Sequence, residues 1–382
     1  MPFLFDATKA SAVGSLLLDA MTRNNVVVAV AVAALLCALV GVGTLAQRRD
    51  GARVDDSGRF PPQRTDRPII GVLSMELSPT IEKVVGAHHS YIAASYVKFV
   101  EGAGAQVAPI LIGQPAEYYR KMVDSVNGLL LPGGATYFKE EEDNKYFAAG
   151  RQLYDLAKEA NAAGAHFPVL GICLGMELLM VAAAGNDFRD NCDSEDPLPL
   201  GFLPGAKSDS RLFARAPPGV VHTLEKQNVT VNHHHFCITR RGIEEQGLER
   251  EWRTLSVNED PNGVEFVSAF EHRQLPLYGV QFHPEKNIYE WKASKNYPHS
   301  ESAITAARYF ADFLVSEARK NAHSFGEDER DHLIYQYQPQ DTKRRLMWEQ
   351  LYLFEEQQQQ VPLVRMASVP EPAAAGQPDF EV

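Results

Sequence analysis

Between residues 67 and 336, short unbroken apolar runs alternate with longer stretches whose apolar positions recur every three or four residues. Ile69–Leu73 is the first run and predicts a buried strand. SYIAASYVKFVEGAGA (90–105) places Ile92, Tyr96, Phe99 and Val100 on one helical face and ends in glycines, which predicts a helix. QVAPILI (106–112) predicts a second strand, and AEYYRKMVDSV (116–126) a helix. NGLLLPGG (127–134) predicts a strand running into a glycine turn, followed by a helix over 145–164. Phe167–Ile172 is a fourth strand, and Leu174–Ala184 the helix after it. Apolar strands separated by helices predict an α/β fold, with a mostly parallel sheet covered by helices on both faces. Such folds carry their chemistry beyond the carboxyl ends of the strands.

The ends of the chain depart from this pattern. Residues 1–25 form an N-terminal segment, and 26–46 are uncharged and almost wholly apolar. About 20 such residues span a bilayer, so 26–46 is either a transmembrane signal anchor or a long cleavable signal ending at Thr44-Leu45-Ala46. Lys9 and Arg23 precede it, whereas Arg48, Arg49, Arg53, Arg59, Arg64 and Arg67 follow it. By the positive-inside rule alone, that imbalance puts the C-terminal bulk in the cytosol. Residues 47–66, with Pro61-Pro62, read as a linker. From 337 to 382 the pattern decays into a tail, partly disordered, with Gln357 to Gln360 and PEPAAAGQP at 370–378.

The net charge of −12 and the lack of a long basic run argue against nucleic-acid binding. Four cysteines are too few for a disulfide scaffold, and no Cys-x-x-Cys zinc pattern occurs. No spacing rule pairs Cys192 with Cys237, and their pairing stays open.

Cys173 lies between Gly171 and Gly175, where a strand is predicted to stop and a helix to start. A sharp strand–turn–helix exposes such a side chain at a strained hinge. The helix amino terminus favours an anion there and so lowers a thiol pKa. The Leu174 N–H then points toward an oxygen bonded near the sulfur. His283 follows the apolar run Tyr278–Phe282, Pro284 stops the ladder, and Glu285 lies two residues on. A carboxylate in that place fixes the imidazole tautomer. The glycines of LLLPGG (129–134) let a backbone N–H approach a substrate closely, which makes Gly133 or Gly134 the second oxyanion donor beside Leu174.

The order PGG, then G-x-C-x-G, then H-P-E is similar to that of the class I glutamine amidotransferase superfamily. RPIIGVLS, SYIAASYVKFVEGAGA, GICLGME, YGVQFHPEKNIYEWK and ARYFADFLVSEARKNAHSF together resemble the gamma-glutamyl hydrolase family over roughly 67–336. The resemblance implies a flavodoxin-like three-layer α/β/α fold for a catalytic domain at 67–336. It implies Cys173 as nucleophile, His283 as base and Glu285 as its orienter. It also implies His234, within NHHHF, as a substrate contact, with Glu177 and Tyr91 near the site. The implied reaction is hydrolysis of folate poly-gamma-glutamates through a thioester, without metal or cofactor. The implied location is the lysosomal or vacuolar lumen or outside the cell, membrane-attached through 26–46 if that segment is uncleaved. Asn228-Val229-Thr230 is a matching glycosylation sequon. A homodimer stays open. Three alternatives also stand: a hydrolase of other gamma-glutamyl amides, an amidotransferase domain for which no ammonia-accepting domain fits in the remaining residues, and a non-catalytic binding module.

Overall fold

The computed structural model describes residues 65–356, apart from 137 and 139–143. The apolar segment 26–46, with its flanks to residue 64, and the tail from 357 lie outside the described residues. Among the described residues, no helix is long and apolar enough to cross a membrane.

Among the described residues, fifteen strands run in chain order. The first five are β1 (Ile69–Leu73), β2 (Ser90–Ala93), β3 (Gln106–Ile110), β4 (Gly128–Leu131) and β5 (Val169–Ile172). Then come β6 (Asp190–Ser194), β7 (Pro197–Leu198), β8 (Gly201–Phe202), β9 (Thr230–Val231) and β10 (His234–Cys237). β11 (Trp252–Glu259), β12 (Glu265–His272), β13 (Leu277–Val280), β14 (Gln340–Asp341) and β15 (Gln350–Phe354) complete the set. The main sheet has the order β3-β1-β4-β5-β13-β12-β11-β8. Its first five members pair in parallel, and the last three pair antiparallel. The parallel strands are buried almost throughout, as unbroken apolar runs require when helices cover both faces. Helices Ala116–Ser125, Lys145–Ala162 and Leu174–Ala184 pack together as one layer. Helices Ala94–Glu101, Lys286–Tyr289 and Glu301–Ala318 form another. Asn144 and Ser300 cap two of the long helices, accepting N–H bonds from Phe147 and Ala303.

The structure differs from the sequence pattern in two places and settles the cysteine pairing that the sequence left open. The helix expected from residue 90 starts at Ala94, because Ser90–Ala93 is drawn out as β2 and pairs antiparallel with β15. The stretch expected to begin the tail at 337 is therefore folded through β14 and β15, and the folded unit passes residue 336. Cys192 and Cys237 form a disulfide across the antiparallel pair β6–β10.

Candidate active site

β5 ends at Ile172, and the helix Leu174–Ala184 begins one residue after Cys173. Cys173 is the hinge, with φ 52° and ψ −112°, a conformation that a side chain makes costly. Bonds on both sides hold it there. Its N–H donates to the Val280 carbonyl on β13 at 2.8 Å, and its carbonyl accepts from the Glu177 N–H at 3.0 Å. The flanking glycines make so tight a turn possible. A Cβ on Gly171 would lie 2.4 Å from the Gly175 carbonyl oxygen, and one on Gly175 would lie 2.0 Å from that of Leu131.

His283 stands just past the end of β13, its N–H donating to the Val231 carbonyl at 2.8 Å. Its Nδ1 lies 2.8 Å from Glu285 Oε1, and both residues are buried. Tyr96 Oη, also buried, is 3.4 Å from the same Nδ1 and accepts the Gly133 N–H at 2.9 Å. A Cβ placed on Gly133 would sit 2.8 Å from His283 Cε1, 2.9 Å from Tyr96 Oη and 3.0 Å from Cys173 Cβ. Three strand ends, those of β4, β5 and β13, thus meet at one point, where only hydrogen fits. Nδ1 is engaged by Glu285, and the imidazole also meets the His233 backbone.

The remaining expected residues fall into two sets. The Leu174 N–H is directed at the Cys173 sulfur. The Gly133 N–H is engaged by Tyr96 in this state, and Gly134 packs against Met75 and Tyr91. Tyr91 is a wall residue: its hydroxyl faces Met75 Sδ at 3.8 Å, and its ring tilts against Trp348 at 5.5 Å. Glu177 is buried behind Cys173, accepting from Arg189 and from Gln281 Nε2, each at 2.9 Å. That same Gln281 amide lies 3.8 Å from Cys173 Sγ, so Glu177 positions a neighbour of the sulfur. His234 is buried against Phe266 and beside the disulfide, its Nδ1 3.8 Å from Cys192 Sγ. Its Nε2 is buried without a partner among the described residues. The adjacent His233 lends its carbonyl to the Cys173 thiol at 3.8 Å. Asn228 is exposed, just beyond the helix Pro218–Lys226.

Sequence reasoning missed the chemistry of Tyr96, Gln281 and Lys286. Tyr96 stood on the helical face read as core, Gln281 inside an apolar run, and Lys286 directly after Glu285.

Burial sets the charge state of the pair. It pushes the Cys173 thiol well above its usual range, with the nearby Glu177 carboxylate adding to the effect. Lys286 and the Leu174 N–H oppose this without overcoming it. Burial also draws His283 below the usual imidazole value, as does Lys286, against the pull of Glu285. Burial thus opposes the lowered thiol pKa expected from the helix terminus, because desolvation outweighs one N–H and half a dipole charge.

The Peptidase C26 family pattern matches residues 68–285. Gamma-glutamyl hydrolase of Mus musculus is 37% identical over 76% of this chain and 90% of its own length. The Homo sapiens protein of that name is 34% identical, with the same coverage of both chains. Gamma-glutamyl hydrolase 1 of Arabidopsis thaliana is 36% identical over 76% of this chain and 83% of its own. The solved glutaminase domain of Trypanosoma brucei CTPS aligns with 70% of this chain and 99% of its own at 15% identity, with a TM-score of 0.42. A family pattern that spans more than half of the sequence, and relatives alike over nearly their whole length, show that this chain belongs to the Peptidase C26 family, among the gamma-glutamyl hydrolases.

Proposed function

We propose that the chain hydrolyses the gamma-glutamyl bonds of folate poly-gamma-glutamates through a thioester on Cys173. The carrying observation is the strained Cys173 hinge at the end of β5, with His283 past the end of the neighbouring β13 and its Nδ1 already bound to Glu285. The Cys173 sulfur adds to the gamma-carbonyl carbon while its proton passes to His283. The oxyanion faces the Leu174 N–H and the Gly133-Gly134 turn. His283 returns the proton to the leaving nitrogen, the C–N bond breaks, and the gamma-glutamyl thioester remains. Water then attacks the thioester with His283 as base, releasing the carboxylate product and restoring the thiol. Since burial disfavours both thiolate and imidazolium, proton transfer accompanies attack in place of a preformed ion pair.

This reading places the domain in a lysosomal or vacuolar lumen or outside the cell, with residues 26–46 as signal or anchor. The exposure of Asn228 is compatible with a glycan there. Protease protection of intact vesicles, with glycosidase treatment, tests the location; digestion from the cytosolic side with no glycan refutes it. Turnover is tested by assaying the purified protein on glutamine, a gamma-glutamyl amine and a folate polyglutamate. A gamma-glutamyl thioester on Cys173, detected by mass spectrometry and lost in Cys173→Ala, is the expected result. Turnover by Cys173→Ala, or a thioester on another residue, refutes the assignment.

A further inference from the structure

The Gln281 amide is half used and half idle. The residue is fully buried, one position past β13. Its Nε2 donates to Glu177 Oε1 at 2.9 Å and faces Cys173 Sγ at 3.8 Å. Its Oε1 is buried without a partner among the described residues. A buried carbonyl left idle is costly, so something holds the amide this way round. That group is Glu177 as a carboxylate, which accepts hydrogen bonds and donates none. A protonated Glu177 would donate to Oε1, the amide would turn over, and a carbonyl in place of an N–H would face the sulfur.

Glu177 does not stay ionised unaided. Its side chain is 3% exposed, and burial raises its carboxyl. Arg189 opposes this, with Nη1 2.9 Å from Glu177 Oε2, which leaves Oε1 to Gln281. The guanidinium is itself fixed: Nε and Nη2 hold Asp187 at 2.9 and 2.8 Å, and the plane lies over Phe138 at 4.0 Å and Phe236 at 4.9 Å. The other titratable groups bearing on the sulfur are Glu285 and Lys286 beyond β13, and Tyr96 and Tyr146 from the helices Ala94–Glu101 and Lys145–Ala162. We propose that Arg189 is a positioning residue for the Cys173 sulfur: by holding Glu177 as an acceptor, it keeps the Gln281 N–H turned toward Sγ. The proposal rests on the thioester reading above. In that reaction sulfur gains negative charge twice, when it gives up its proton to attack and when the thioester's S–C bond breaks and sulfur takes back the bonding pair. An N–H already aimed at it favours both steps.

The test uses the full-length protein as wild type, Arg189→Met, Gln281→Met, the double variant and Arg189→Lys. Turnover of a folate polyglutamate is measured beside the pH profile of Cys173 alkylation by iodoacetamide, read by mass spectrometry. Arg189→Met and Gln281→Met should each lower kcat roughly 10- to 100-fold, the range for a hydrogen bond to a charged group, with KM little changed. Each should move the alkylation profile to higher pH. In Arg189→Met either fate of the unpaired Glu177 does this, since a protonated one releases the amide and a charged one repels the thiolate. Looser packing, the result of a merely structural role, lets water reach the thiol and moves the profile the other way. The double variant should lose no more than the single ones, because both interrupt one line of contacts. Arg189→Lys keeps a cation beside Glu177 and should retain much of the turnover and the profile, and it carries the comparison if the methionine variant does not fold. An unchanged profile in Arg189→Met, a shift to lower pH, or losses that add in the double variant overturns the proposal. A wild type that cleaves no gamma-glutamyl compound overturns the underlying reading, whereas the alkylation profiles need no substrate and still decide the place of Arg189.

Discussion

Replacing Cys173 by glycine should leave the fold more stable than replacing it by alanine, the reverse of the usual order. At an ordinary site alanine is favoured, because glycine has more backbone freedom to lose, about 0.5–1 kcal/mol. Cys173 is not ordinary. Its φ of 52° and ψ of −112° lie where a Cβ is penalised, and the bonds to Val280 and Glu177 hold the backbone there whatever the side chain. Strain of this kind costs about 1–3 kcal/mol. Alanine keeps the Cβ and so keeps the strain, whereas glycine removes it. Setting the relief against glycine's entropy leaves Cys173→Gly ahead of Cys173→Ala by roughly 1 kcal/mol, or about 2 °C in melting temperature for a domain of this size. Both variants should be inactive, so stability is read by chemical denaturation and calorimetry without interference from turnover. If Cys173→Ala equals or exceeds Cys173→Gly, the hinge is not strained and the account of how the sulfur is presented fails.

Glu285→Gln should lower kcat less than His283→Ala, because the carboxylate orients the imidazole while the imidazole moves the proton in both steps; equal complete loss would show a second role for Glu285, and unchanged activity would remove it from the site. The acid limb of kcat/KM should fall below the ordinary imidazole value of about 6.5, since burial draws His283 down and it stays a neutral base to lower pH. An acid limb at or above that value contradicts the charge state inferred here. Alkylation of Cys173 in the free protein should stay slow through neutral pH, because burial raises the thiol; rapid labelling at pH 6 would restore the ion-pair alternative. Glu290 is buried, and burial raises its carboxyl to about 7 despite bonds from Ser95 and the Glu349 N–H. A raised carboxyl favours the folded state below its unfolded value and loses that advantage as pH climbs through about 7, so Glu290→Gln should stabilise the protein at pH 8 by on the order of 2–3 kcal/mol and have little effect at pH 4. Denaturant melts at the two pH values decide this.

The parts of the site that sequence reasoning reached are those fixed by local rules. Cys173 between its glycines and His283 before Pro284 sit at strand ends, and the strands were visible as apolar runs. Glu285 needed only a two-residue step in extended chain. What stayed hidden depends on distant partners. Nothing in SYIAASYVK shows that its first four residues pair with β15, more than 250 residues on, so a helix was expected where a strand forms. Tyr96 had the periodicity of a core residue, and it is one. Only the approach of Gly133 and His283 gives its hydroxyl a task. The disulfide required β6 and β10 to be neighbours, a fact of topology that spacing does not carry. The thiol's charge state was misjudged because helix-terminus electrostatics are local, whereas the desolvation that overrides them is set by the whole packed interior.

β15 closes against β2 from the far end of the described chain, and this fixes an order of events during synthesis. Every strand of the main sheet has been made by residue 280, yet β2 remains an unpaired edge until residues 350–354 leave the ribosome. Open edges recruit other chains. A nascent or prematurely terminated chain therefore carries a sticky flank, and the last folded segment quenches it. Stop codons anywhere between 290 and 350 should yield aggregates rather than soluble, partly active enzyme, although Cys173, His283 and Glu285 have already been translated.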